Sequence, residues 1–345
     1  MYFNTTVAQT FNTFLRSNGR EVININVTPT TTGAPAFTRN KVAPPSGIAV
    51  VSDVRVFDKN FDDVTTHNFY LTNEVELVKD LGLALTYQGT RGRKLPLAFN
   101  TNLAAAGMLP DGRRRWSTTN RPNPKFGNIF VSNSIGEQDY DGLVMTLTKR
   151  HSKGFSLQGA YHLSRTNGAA FADDFTGFGI FTSPSDPLDV NVDRGPGDFD
   201  MRHRFTLTGV AEPKFNNLNK GLGVLLNGWQ MSSRLIASAG YAFNATTGQD
   251  TNGDTIFNDR PTGIGYNAYS LPNYITLDLR LSRFIRLGES RRLELIGEGF
   301  NLTNRLNPTN VVRVFGPNAT PNANFQQVTQ AETARQFQLA VRFSF

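Results

Sequence analysis

The segment Asp250-Thr251-Asn252-Gly253-Asp254, followed by Asp259, sets carboxylate and amide oxygens at alternate positions. Oxygens so spaced can wrap a hard cation, calcium above all, and Gly253 permits the sharp bend such a loop needs. The pattern departs from a calcium loop after Asp254, where no glycine follows and the distance to the last acid is short. The competing reading is an Asx-turn loop held by hydrogen bonds from its own side chains. Asp250, Asn252, Asp254 and Asp259 are thus the candidate metal ligands, and Ca2+ is the one cofactor they suggest.

Other reactive residue types point to less. Asp198, Asp200, Arg202, His203 and Arg204 cluster where a polar stretch enters a more apolar one. They could relay protons or hold a ligand, but charges at alternate positions also pair across neighbouring strands or line a wet wall. His67, His151, His162 and His203 never approach metal-ligand spacing. Arg113-Arg114-Arg115-Trp116 could meet an anionic sugar, against the plainer reading of an exposed basic loop. Cysteine is absent, which removes thiol nucleophiles, disulfides and thiolate metal sites. No G-x-S-x-G elbow, H-E-x-x-H pair or phosphate-cradling loop occurs, so the sequence gives no support for an enzyme. The net charge of +7 is scattered, with no basic helix or stacking motif, which argues against nucleic acid.

The elements that must position these residues are strands. Ile275, Leu277, Leu279 and Leu281 alternate with Thr276, Asp278, Arg280 and Ser282, one face apolar and the other wet. The same period of two runs through Phe69, Leu71, Val75 and Leu77, then Leu81, Leu83, Leu85 and Tyr87, then Leu143, Met145 and Leu147. It continues in Phe155, Leu157, Tyr161 and Leu163, in Phe205 and Leu207, and in Leu293 and Leu295. Phe337, Leu339, Val341, Phe343 and Phe345 close the chain in the same way, against Gln338, Ala340, Arg342 and Ser344. Twenty-seven Phe, 31 Gly and 17 Pro suit many short strands joined by turns. No apolar run approaches the roughly 18 residues of a membrane helix. A mean hydropathy of −0.33 is neutral towards a transmembrane β-barrel, whose strands expose only every second residue to lipid.

Connections alternate in length. Val78-Lys79-Asp80, His151-Ser152-Lys153 and Leu287-Gly288-Glu289-Ser290 read as tight turns, 214–226 as intermediate, and 91–138, 166–201, 243–272 and 303–332 as long loops. Short periplasmic turns and long extracellular loops along an antiparallel meander produce this rule. It predicts an all-β, antiparallel transmembrane barrel or part of one, with about ten to twelve strands in all. The barrel segment is expected over 67–345, with 1–66 supplying an N-terminal strand such as Glu21–Val27 and a loop at 29–47. The N-terminus lacks a secretory signal pattern, so the expectation is a piece of a longer exported precursor whose true end is Phe345.

Several segments carry a family resemblance in a fixed order: LTYQGTRGRKLP (85–96), YDGLVMTLTKRHSKGFSLQGAYHLSR (140–165), DFDMRHRFTLTGV (198–210), GWQMSSRLIASAGYAFNATTG (228–248), DTNGDTIFNDRP (250–261) and GEGFNLTNRLNP (297–308). With the terminal strand they resemble the C-terminal part of TonB-dependent transporters and receptors, in particular the Oar-like branch. The resemblance implies the cell outer membrane of a Gram-negative bacterium and a barrel of roughly 22 strands around an N-terminal plug. It implies that lipid surrounds the barrel, that the barrel assembly machinery reads Phe337, Leu339, Val341, Phe343 and Phe345, and that TonB acts through a plug not visible here. An unidentified extracellular substrate would bind the long loops. The alternatives are a self-contained small barrel acting as passive pore or surface adhesion protein, and a secreted soluble all-β binding domain. The chain should either close on itself as an under-sized barrel or present two bare edges.

Overall fold

Alternation of period two forces each of these segments to put all its apolar side chains on one face, so consecutive segments pair antiparallel with like faces together. The computed structural model describes residues 53–169, 184–198, 200–216, 219–288 and 290–345. Its strands are β1 (Val54–Phe57), β2 (Thr65–Val78), β3 (Leu81–Asn100), β4 (Ala104–Met108), β5 (Arg114–Ser117), β6 (Ile129–Ser152), β7 (Phe155–Ala169), β8 (Gly195–Pro196) and β9 (His203–Ala211). Helix α1 (Lys220–Leu226) follows, then β10 (Trp229–Ser238), β11 (Ala242–Phe243), β12 (Tyr269–Ser270), β13 (Tyr274–Arg286), β14 (Arg292–Phe300), β15 (Pro308–Val311), β16 (Val328–Ala331) and β17 (Gln336–Ser344). The candidate strand Glu21–Val27 and the loop 29–47 lie outside the described residues.

The main sheet has 11 strands, and its path is a meander in the order β2-β3-β6-β7-β9-β10-β13-β14-β17. Every neighbouring pair on that path is antiparallel, while β1 runs parallel to the outer end of β6 and β8 pairs with β7. The register aligns Val75, Leu83, Leu147, Gly159, Leu207, Leu235 and Leu277 in one row across seven strands. The opposite face carries the charges: Arg280 reaches Glu294 at 3.0 Å and Glu298 at 3.5 Å, Arg342 reaches Glu294 at 3.4 Å, and Arg234 reaches Asp278 at 2.7 Å. The expected wet wall is therefore an ion-paired one.

Short turns and long loops alternate as expected. The β6–β7 turn is Lys153-Gly154, both at positive φ (52° and 83°), the geometry whose twist matches a two-residue hairpin. The β9–β10 link, read from sequence as intermediate, contains α1. β3 and β6 depart from expectation, since their ladder continues to Asn100 and Ile129, through stretches read as loop. Twenty residues of strand reach roughly 66 Å, well beyond the ~9–11 residues a bilayer needs. In the extension the apolar signal fades because ion pairs stabilise the wall instead, Arg91 with Asp141 at 2.8 Å and Arg93 with Asp139 at 2.6 Å.

Among the described residues no apolar core lies behind the main sheet. The buried cluster of Phe243, Leu271 and Val311 belongs to the outer loops, with Tyr269 and Phe325 against it. Large apolar side chains of the sheet are exposed instead, among them Leu71, Leu143, Met145, Leu281 and Leu339. A water-soluble sandwich would bury that face, whereas a lipid-embedded wall presents it. Among the described residues β2 and β17 each pair on one side only and do not meet, which is the two-edged outcome. No described helix is long and apolar enough to cross a membrane.

The two faces of β9 make a direct test. Leu207→Arg should cost about 2–4 kcal/mol in denaturant unfolding from lipid vesicles, and its neighbour Thr208→Arg, on the polar face, less than about 1 kcal/mol. Equal costs would contradict the assignment of faces.

Candidate functional site

Three long connections, 101–128, 184–202 and 239–273, converge at the loop end of the sheet. The first is braced by the hairpin of β4 and β5, the second by a single 3-10 turn at Val190–Asp193, and the third by β11 pairing with β12. Backbone donors in such irregular chain need partners, and here side chains provide them.

Asp250 organises the acidic loop as an Asx turn. Its Oδ1 accepts from the amides of Gly253 (2.7 Å) and Asp254 (3.1 Å), and its Oδ2 from Thr255 (2.9 Å). Asp259, fully buried, accepts through Oδ2 from the amides of Thr251 and Asn252 at 2.7 and 3.2 Å. Gly253 sits at φ +79°, and a Cβ there would lie 2.3 Å from the Trp116 carbonyl oxygen, so its role is close approach between two loops as well as bending. That approach is sealed by the Trp116 amide donating to the Asn252 carbonyl at 2.6 Å. Asn252 in turn donates from Nδ2 to the Ser185 carbonyl at 3.0 Å, which joins the second connection.

A second layer carries the charges. Arg260 is buried, pairs with Asp193, and donates to the Val192 carbonyl at 2.9 Å. Asp193 also accepts from the Ser185 amide and hydroxyl at 2.6 and 2.8 Å. Arg113 donates to the Arg260 carbonyl at 2.8 Å and pairs with Asp111 at 2.7 Å, while Arg114 pairs with the buried Asp186 at 2.6 Å. Arg113 and Trp116 are therefore buried, which corrects the reading of 113–116 as an exposed basic loop; of the basic run only Arg115 is exposed. The counter-charge at Asp186 lies 72 residues from Arg114, out of reach of any local pattern.

The four candidate ligands meet as the spacing suggests; amides engage both oxygens of Asp250 and Oδ2 of Asp259, while the buried Asp259 Oδ1 has no hydrogen-bond partner. Asn252 turns its amide nitrogen, not its oxygen, to Asp254 Oδ2 at 3.2 Å, which is the wrong polarity around a cation. Among the described residues no three His, Asp or Glu side chains are placed to hold a metal ion. Of the second cluster, Asp198 accepts from the Tyr266 hydroxyl (2.8 Å) and Asn267 Nδ2 (2.7 Å), and Asp200 accepts from the Thr166 amide. His203 lies apart, on the apolar face, its Nδ1 2.8 Å from the Tyr161 hydroxyl. Arg204 faces a cavity of about 300 Å³ on the polar side, shared with Ile236, Tyr241, Tyr274 and Glu332. No alternation or motif marks that cavity, because its walls come from four strands, β9, β10, β13 and β15, and from the loops beside them.

Burial shapes the titration of these loops. It pushes the Asp254 carboxyl up to about 7, helped by the charges of Asp259 and Asp250 and opposed by the Ile256 amide and the Asn252 side chain. Asp259 is raised too, again by burial, against the amides of Asn252 and Thr251 and the charge of Arg113. Tyr266 stands above the usual phenol range because it is buried beside Asp198. Burial raises the Asp111 carboxyl too, yet hydrogen bonds from Arg113 outweigh it and hold the carboxyl below the ordinary range.

A raised folded-state pKa means the folded loop holds a proton that the unfolded one has released, so stability falls as pH rises from about 4 to about 7. Protection of the amides of residues 251–256 against hydrogen exchange, corrected for intrinsic rate, should rise by up to about tenfold per pH unit from pH 7 to pH 5. Asp254→Asn should flatten that profile, and millimolar calcium should leave it unchanged.

The family comparison agrees with this architecture. The model of the outer membrane beta barrel domain matches residues 1–270. No curated protein matches. Among solved structures, the outer membrane transporter YddB from Escherichia coli is 12% identical over 86% of this chain and 34% of its own, with a TM-score of 0.49. The ferripyoverdine receptor of the outer membrane of Pseudomonas aeruginosa is 11% identical over 83% of this chain and 28% of its own (TM-score 0.47). The FrpB iron transporter from Neisseria meningitidis is 11% identical over 84% and 32% (TM-score 0.44). The chain thus spans about a third of the length of these structures. With its lipid-compatible face, ion-paired polar face and family match, the chain belongs to the outer-membrane β-barrel domain family and resides in the outer membrane of Gram-negative bacteria.

Proposed function

We propose that the chain forms the C-terminal part of the barrel of a TonB-dependent, Oar-like transporter or receptor. Its long outer loops bind an extracellular substrate, and its polar face lines the path inward. The observation that carries this reading is the interlock of three long loops through Trp116, Arg113, Arg260, Asp193, Asn252 and Ser185, together with a 300 Å³ cavity on the polar face. A wall that only had to span lipid would not need buried ion pairs outside the bilayer, whereas a binding platform needs loops held in one arrangement. The cavity offers a cation at Arg204, an anion at Glu332 and the rings of Tyr241 and Tyr274, which suits a polar ligand with a flat or apolar part. The work is passage, not bond making. TonB would act through a plug, and the barrel assembly machinery would read Phe337, Leu339, Val341, Phe343 and Phe345.

The test is uptake in cells carrying the gene. Deletion should abolish accumulation of the substrate, and collapse of the proton gradient should do the same, whereas a passive pore would keep passing it. Asp193→Asn leaves Arg260 buried without its counter-charge and should cost about 3–5 kcal/mol of loop order. Substrate affinity should then fall while the heat-shifted band of the folded barrel persists on gels. Undiminished uptake after loss of the gradient would overturn the proposal.

A further inference from the structure

A groove on the apolar face has the chemistry of a specific lipid site. Trp229, Arg283, Leu295 and Val341 form one register row across β10, β13, β14 and β17. The next row is Met231, Leu281, Gly297 and Leu339. Gly297 has no side chain, so a trough opens between Leu281, Leu295, Leu339 and Val341, with a volume of about 460 Å³. It is closed towards the loop end, where Leu302 and Phe337 cover Gly299. At its other end stands the Arg283 guanidinium, 5.3 Å over the Trp229 ring.

Arg283 lies close to the turn at 287–291, and Trp229 opens β10, so this end of the trough is at the depth of the periplasmic headgroups. Among the described residues no carboxylate comes within ion-pair distance of Arg283, whose buried Nη1 beside Gly228 has no hydrogen-bond partner. The remaining amino group donates to the Val224 carbonyl of α1. Helix α1 itself turns Leu222, Val224 and Leu225 to the surface, and Leu225 accepts from Trp229 Nε1 at 2.9 Å. An exposed apolar turn beside a tryptophan is what an element resting in a headgroup layer presents. We propose that this trough holds one acyl chain of an anionic glycerophospholipid of the periplasmic leaflet, with Arg283 as the counter-ion of its phosphate. The site is continuous with the lipid-facing band, and one uncompensated cation at its headgroup end selects an anionic lipid over a zwitterionic one.

Trp229 is its own reporter once Trp116 is replaced by Phe. The full chain is reconstituted in phosphatidylcholine vesicles, and quenching by brominated phosphatidylglycerol is compared with quenching by brominated phosphatidylcholine at equal mole fraction. The relative binding constant should favour phosphatidylglycerol by roughly fivefold. Arg283→Gln should bring the ratio to about one, Arg283→Lys should retain the preference, and Gly297→Leu should reduce quenching by both lipids. A ratio of one in the Trp116→Phe protein overturns the proposal. So does a preference that survives Arg283→Gln, or one lost only with Arg286→Gln, since either places the headgroup elsewhere. If Arg283→Gln fails to show the heat-shifted band of a folded barrel, the Trp116→Phe ratio and Gly297→Leu decide alone.

Discussion

Inside a bilayer no water is present to satisfy backbone N–H and C=O groups, so each strand depends on its neighbours for every one of them. The unbroken ladder from β2 to β17 is the answer, and the rest of the molecule follows from it. Pairing with period two puts one residue in two against lipid, which is why Leu207 and Leu277 share a row while Thr206 and Thr276 do not meet hydrocarbon. The same geometry collects Arg280, Glu294, Glu298 and Arg342 on the other face, where they neutralise each other. Among the described residues β2 and β17 are the edge strands, and because a bare edge is incompatible with hydrocarbon, each requires a strand partner in the membrane.

Beyond the bilayer the constraint relaxes, and a different solution appears. The loops have too little apolar surface for a large core: beside the cluster of Phe243, Leu271 and Val311 they bury Leu103, Trp116, Ala245, Tyr266 and Phe315. Order comes instead from side chains that replace ladder partners: Asp250 for three amides, Asn252 for the Ser185 carbonyl, Arg260 for the Val192 carbonyl. The buried ion pairs of this network specify one arrangement because any alternative leaves charges unpaired, although Asp259 Oδ1 and Arg113 Nη1 are left without hydrogen-bond partners. The cost is visible at Asp254, which burial drives towards its neutral form near neutral pH.

The transmembrane wall was legible in the sequence because lipid imposes a local rule. Ile275, Leu277, Leu279 and Leu281 announce a face without knowledge of any other strand. The lengths of the connections were equally plain, apart from α1, whose short LGVLL run carries no helical period long enough to read. Where lipid ends, the rule ends. β3 and β6 continue past Arg91 and Asp139, but a ladder held by ion pairs looks like loop to a hydropathy pattern. In the loop site the spacing around Gly253 correctly brought Asp250, Asn252, Asp254 and Asp259 together. It could not say whether their oxygens would face a cation or amides. That depends on Trp116 and Ser185, the latter 67 residues from Asn252.

Two arginines of β13 show how depth adds a second rule to alternation. Arg280 is on the polar face, matched by Glu294 and Glu298. Arg283, three positions on, falls on the apolar face beside Trp229 and Leu295, where alternation alone would make a charge an error. Its place near the periplasmic turn resolves the conflict, since a long side chain can keep its stem in hydrocarbon and its head at the interface. The protein thus uses one residue type for two purposes on one strand. Position across the sheet decides whether its partner is a carboxylate of the wall, and position along the strand decides whether it meets the headgroup layer.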